Sequence, residues 1–96
     1  MSNEIILINK MENTVKLAVN SILAEDEYSN VCKCQRCKLD IIALTLNKLH
    51  PRYVVTTMGN AIINANISSD QWRADVTTAV CEAIEIVNNN PRHGVN

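Results

Sequence analysis

Apolar residues recur at steps of three and four through Ile8, Met11, Val15, Ala18 and Ile22, while Glu4, Glu12 and Lys16 fall on the other side. That spacing predicts an amphipathic helix. Its stripe covers about two heptads, enough to pack one helix along another but too short for a coiled coil. Residues 24–30, Ala-Glu-Asp-Glu-Tyr-Ser-Asn, are polar and aperiodic and predict a loop. From Cys37 the pattern changes: Leu39, Ile41, Ile42, Ala43, Leu44, Leu46 and Leu49 are apolar nearly all round, as in a helix buried on most sides. Pro51 stops this helix and favours an extended His50. Tyr53-Val54-Val55-Thr56-Thr57 suits an extended segment or a short edge strand, which Gly59 ends in a turn. Residues 60–67 read as a short helix.

The last element has the clearest start. Ser68 and Gln71 form a capping box, and Ile67 can staple onto Trp72. Trp72, Val76, Val80, Ala83 and Val87 then make an inner stripe, and Asn88-Asn89-Asn90-Pro91 ends it. The expected fold is mainly α: three main helices plus a short extended linker, in a single domain over residues 1–96.

Composition adds a constraint. The chain has 96 residues, 47% of them hydrophobic, with no Phe, one Trp (Trp72) and two Tyr (Tyr28, Tyr53), so its core must be aliphatic. A domain this small buries a limited share of its surface and often relies on a metal, a disulfide or a partner subunit. Met1-Ser2-Asn3-Glu4 lacks the basic start of a signal peptide, and no apolar run approaches the roughly 20 residues that span a bilayer. A cytoplasmic protein with reduced thiols is expected.

Net charge is −1, which with so few aromatics argues against a generic DNA or RNA binder. The charge is unevenly spread. Between residues 31 and 52, Lys33, Arg36, Lys38, Lys48 and Arg52 face Asp40 alone, whereas acidic residues predominate on both sides. A basic middle can offset the charge of a zinc–thiolate centre, or it can form an anion pocket.

The strongest chemical signal lies in that segment. Cys32-Lys33-Cys34-Gln35-Arg36-Cys37 offers three soft ligands from one tight turn. Cys32 and Cys34 are too close to pair without strain, and tetrahedral Zn²⁺ takes four ligands. The Cys34–Cys37 spacing suits a turn entering a helix, where backbone N–H groups stabilise thiolates. Cys81 is the remaining cysteine and the candidate fourth ligand. Asp40, His50 and His93 compete for that place, an iron–sulfur cluster is a second metal reading, and a lone helical Cys is often just a small buried hydrophobe. Four thiolates would leave no open position, making the zinc structural. Neither histidine has a nucleophilic partner in a recognisable arrangement, and two glycines make no phosphate loop. Catalysis is not expected.

The stretch Cys32, Cys34, Cys37, Asp40, Ala43-Leu44, Leu46-Asn47, Leu49, Pro51, Tyr53-Val54 resembles the bacterial late-competence ComFB family, as does the closing Asn90-Pro91-Arg92-His93. His50 departs from the family pattern, where a proline is common, and Cys81 is no part of the pattern on which the resemblance rests. The resemblance implies a zinc-containing, mainly helical bacterial homodimer linked to competence and to binding cyclic di-GMP or cyclic di-AMP. Phosphates and purines call for cations beside planar groups, so Arg52 and Tyr53 would form the ligand pair, with Arg36, Lys48 and Arg92 in support. Arg52 as a solvated surface charge and Tyr53 as a lid on the core are the plainer readings. Asp40 and Asn47, seven apart on an apolar helix, read as buried polar groups that need partners: Asp40 near the cysteine turn, Asn47 on the linker. Three functions compete: a cyclic-dinucleotide receptor, a dimeric protein–protein adaptor with an as yet unknown partner, and a nucleic-acid-binding zinc module, which net charge and scarce aromatics disfavour; no membrane and no direct DNA binding is expected.

Overall fold

The computed structural model describes residues 4–57 and 70–91, with side chains in the second stretch from residue 73 onward. The expected Gly59 turn, the helix over 60–67, the capping box and staple at 67–72, and Arg92 and His93 lie outside those residues or side chains.

Among the described residues, three helices pack on one another and carry a two-stranded sheet. β1 (Ile5–Asn9) leads into α1 (Lys10–Leu23); a 3-10 turn (Asp26–Tyr28) and the cysteine segment follow, then α2 (Gln35–Lys48), β2 (Tyr53–Thr57) and α3 (Asp70–Asn89). The three expected main helices are present, and the two-stranded sheet is the addition, where only a short extended linker was expected. Ile5-Ile6-Leu7-Ile8 is β-branched and aliphatic, and it pairs antiparallel with β2, Leu7 opposite Val55 and Ile8 opposite Val54. Ile8 therefore belongs to a strand and does not begin the helical stripe. The extended reading of Tyr53–Thr57 is what the structure shows; its partner strand was hidden because β1 is continuous in sequence with an amphipathic helix.

Asn9 makes the junction. It is the N-cap of α1, extended at φ −97° and ψ 108°, and its Oδ1 accepts the Met11 N–H at 3.1 Å. The same oxygen accepts the Arg52 N–H at 2.8 Å, and the Lys10 N–H donates to the Arg52 carbonyl at 2.8 Å. One side chain thus starts a helix and fixes the linker that enters β2. The role expected of Asn47 falls to Asn9, and Asn47 is exposed.

Along α1 the buried line is Met11, Val15, Val19 and Leu23, with Ala18 and Ile22 partly buried beside it. The line is rotated from the expected stripe because α1 packs against both α2 and α3. α2 also differs from expectation. Its buried line is Cys37, Ile41 and Thr45, while Leu39 is half exposed and Ala43 exposed, so the described residues cover only one side of it. Thr45 donates its hydroxyl to the Ile41 carbonyl at 2.8 Å, which satisfies the buried oxygen. α3 supplies Val76, Ala79, Val80, Ala83, Ile84 and Val87, a broader face than either neighbour. It closes at Asn89, where the Asn90 N–H bonds the Val87 carbonyl. None of the described helices is long and apolar enough to cross a membrane.

Replacing Asn9 with Ala removes one acceptor from two backbone donors, and a destabilisation of about 1–2 kcal/mol is expected. Urea unfolding measures it. Asn9→Asp, which keeps the acceptor, should recover most of the loss, and an unshifted midpoint in Asn9→Ala would contradict the role.

Candidate metal centre

α2 begins at the cysteines because Cys34 caps it. Cys34 is extended at φ −68° and ψ 163°, its Sγ accepts the Cys37 N–H at 3.4 Å, and its carbonyl takes the first helical bond from the Lys38 N–H at 3.0 Å. A sulfur thus stands where a capping oxygen usually does. The helix then turns Cys37 inward, where it is 1% exposed among the core residues. Cys32 is half-buried and packs on that core, and Cys34 is exposed.

The sulfurs of Cys32, Cys34 and Cys37 all lie within 4.8 Å of one another. Sulfurs on a tetrahedral zinc, at about 2.3 Å from the metal, stand about 3.8 Å apart, so these three fit three corners with little movement. Burial, and then hydrogen bonds with Cys34 and Cys32, push the Cys37 thiol up to about 12. A divalent cation reverses that preference, because a coordinated thiol gives up its proton. This cluster could hold a metal ion.

Cys81 is placed differently. It is half-buried on α3 and does not come within 4.8 Å of all three other sulfurs, and neither do Asp40 or His50. Its Sγ lies 3.4 Å from the Tyr28 hydroxyl. That contact, followed by burial and by repulsion from Cys81, Glu27 and Glu25, raises the Tyr28 phenol to about 12. Tyr28 was seen in the sequence only as a loop residue, yet it joins the 3-10 turn to α3. Lys33 holds the same loop from the other end, its Nζ donating to the carbonyls of Tyr28 at 2.7 Å and Val31 at 3.3 Å. No pattern in the sequence marks either contact, because both depend on the loop's path.

The basic segment is largely engaged. Arg36 Nε bonds Asp40 Oδ2 at 3.3 Å one turn along α2, the arginine partner foreseen for Asp40. Lys48 Nζ reaches Glu82 Oε1 on α3 at 2.7 Å. Arg52 and Tyr53 are both exposed where the linker enters β2, and Tyr53 lies opposite Asn9. The cations of residues 31–52 are distributed over the cysteine loop, both ends of α2 and the linker.

The Tyr28 contact has a pH signature. With its folded pKa raised, Tyr28 favours the native state fully below about pH 10, and that contribution is lost as pH climbs from 10 towards 12. In metal-free protein, ultraviolet difference titration should show this phenol ionising late, and Cys81→Ala should bring it down towards 10. An identical titration in the variant would dissociate the two groups.

Comparison with known proteins follows the same boundaries. The family model for late competence development protein ComFB matches residues 8–91. The competence protein ComFB of Bacillus subtilis is 28% identical over 85 residues, covering 88% of this chain and 85% of that protein. A solved structure described as the late competence protein ComFB from Bacillus subtilis superposes with a TM-score of 0.72 at 28% identity, over 90% of this chain and 92% of the other. The cysteine turn, the buried α2 that follows it and the linker to β2 all lie inside the matched span, and the chain belongs to the late competence ComFB family.

Proposed function

We propose that this chain is a non-catalytic, zinc-stapled regulatory protein of the bacterial cytoplasm, a homodimer that binds a cyclic dinucleotide. The observation that carries the ligand reading is the clamp on the linker. The Arg52 backbone is held on both sides, its N–H by Asn9 and its carbonyl by Lys10, and the next residue, Tyr53, is 61% exposed. A guanidinium beside a planar ring suits a phosphate beside a purine. The family resemblance supports the same ligand class.

Arg36 and Lys48 can join only by exchanging Asp40 and Glu82 for phosphate oxygens. Exposed ion pairs of this kind are worth about 0–1 kcal/mol, so the exchange is energetically small. For zinc, Cys32, Cys34 and Cys37 supply three thiolates and Cys81 the fourth. Cys81 reaches the metal by giving up the Tyr28 hydroxyl. The bound ion would tie the cysteine loop to α3 and substitute for core that a small aliphatic domain lacks.

A second reading, a protein–protein adaptor with purely structural zinc, is favoured by the apolar side of α2 and α3 left uncovered. Leu39 and Ile86 are each about half exposed, and a groove of about 260 Å³ runs beside Ala43, Leu44 and Ile86.

Metal analysis should find one zinc per chain, lost in Cys34→Ser. Retention of a full equivalent in Cys81→Ala would remove Cys81 as the fourth ligand. Zinc affinity should rise with pH, because each thiol must shed a proton to bind. Calorimetry with cyclic di-GMP and cyclic di-AMP should give saturable binding, weakened at least about tenfold, or about 1.4 kcal/mol, by Arg52→Ala. No heat at high micromolar nucleotide would eliminate the receptor and leave the adaptor.

A further inference from the structure

The cysteine turn is built for a second chemistry besides ligation. Cys34 is the N-cap of α2, and Cys37 lies three residues on, in the first helical turn. Residues so spaced have Cα atoms about 5 Å apart, inside the range that a disulfide bridges. Their sulfurs already lie within 4.8 Å of one another, and the Cys34 Sγ is 3.4 Å from the Cys37 backbone nitrogen. The two differ in access: among the described residues Cys34 is exposed, whereas Cys37 is 1% exposed. An accessible sulfur beside a sheltered one at the start of a helix is the arrangement of a dithiol redox pair.

We propose that Cys34 and Cys37 form a peroxide-responsive pair whose disulfide ejects the metal from the cysteine cluster. The inference rests on the zinc reading above and gives that site a means of regulation. Geometry selects the pair. Cys32 and Cys34 are separated by one residue and cannot close without strain. Cys81 is turned to the Tyr28 hydroxyl, 3.4 Å away, and does not come within 4.8 Å of all three other sulfurs. A bond from Cys32 to Cys37 would pass over Cys34, the sulfur an oxidant meets first.

Hydrogen peroxide balances the reaction. The Cys34 thiolate attacks one peroxide oxygen, the O–O bond breaks, and Cys34 becomes a sulfenic acid as hydroxide leaves. The Cys37 thiolate then attacks the Cys34 sulfur: the S–S bond forms, the S–O bond breaks, and a second hydroxide leaves. Two thiolates give up two electrons to the peroxide, and solvent protonates both hydroxides to water. The second step is internal to the turn, so burial of Cys37 does not hinder it. Both sulfurs are then lost as donors, which leaves too few for a four-coordinate zinc. Cys34 keeps its place at the cap and Cys37 its place in the core. The change is therefore confined to the tie between the cysteine loop and α3, and a dithiol reductant reverses it.

The test treats zinc-loaded protein with excess hydrogen peroxide. A colorimetric chelator reads released metal, and mass spectrometry reads cysteine pairs after alkylation in denaturant. One zinc per chain should appear in step with one Cys34–Cys37 disulfide, with Cys32 and Cys81 still open to alkylation. That pair should outnumber every other cysteine pairing at least about tenfold, because the alternatives are strained or distant. Dithiothreitol followed by zinc should restore the metal content. Cys32→Ala, checked for fold by circular dichroism, should form the same bond. A disulfide to Cys32 or Cys81 in its place, oxidation without any disulfide, or zinc-loaded protein that keeps its metal and thiols would overturn the proposal and leave the zinc reading standing. Protein that carries no zinc yet forms the Cys34–Cys37 bond would overturn the zinc reading, and ejection with it, but not the redox pair.

Discussion

The burial of Cys37 within the aliphatic seam of the three helices fixes the sulfur about which the other two gather. Its position on α2 is set by Ile41 and Thr45, one and two turns on, which lock the helix rotation against α1 and α3. With the rotation fixed, the N-cap Cys34 falls a hydrogen bond away from the Cys37 amide, and Cys32 follows one short step upstream. Core and cluster are therefore one construction. A change in the seam moves a ligand, and a change in the cluster frees the start of a core helix. A small domain without phenylalanine gains most from such sharing, because the ordering entropy of the cysteine loop is offset by contacts that already exist for the core.

Electrostatics follows from that arrangement. The cysteine loop and α2 carry four of the chain's nine lysines and arginines, and the structure commits three of them at short range: Lys33 on backbone carbonyls, Arg36 on Asp40, Lys48 on Glu82. These pairings answer part of the question the sequence left open, since most of the basic middle stabilises its own fold. At the linker, Asn9 and Lys10 hold both polar groups of the Arg52 backbone.

The helices and the cysteine cluster were legible because both are local. Cys-x-Cys-x-x-Cys states its own geometry, and the stripe of α3 from Val76 to Val87 is the buried face of that helix. The exact rotation of α1 was not legible: Val19 and Ala18 are adjacent and both apolar, and only the position of two neighbouring helices decides which is buried. β1 was obscured by its continuity with α1, since Ile8 satisfies a helical period and a strand equally well. Leu39 and Ala43 looked like core because composition reports hydrophobicity and not what covers it. The Tyr28–Cys81 contact, 53 residues apart, and the second bond of Asn9 leave no trace in any window of the sequence. Each is a long-range meeting of two polar groups, visible only once the chain is folded.

The pairing of β1 with β2 also dictates an order of events while the chain is made. Asn9 and Arg52 are 43 residues apart, so at about 5–20 residues per second β1 waits roughly 2–9 s for the strand that completes it. During that interval Ile5-Ile6-Leu7-Ile8 is an unpaired aliphatic strand in the nascent chain, the kind of segment that holdase chaperones capture and that aggregates when they do not. The three clustered cysteines are complete by residue 37, before β2 has been synthesised. Metal capture by the nascent chain can thus precede closure of the sheet, whereas anything that needs Cys81 must wait for α3.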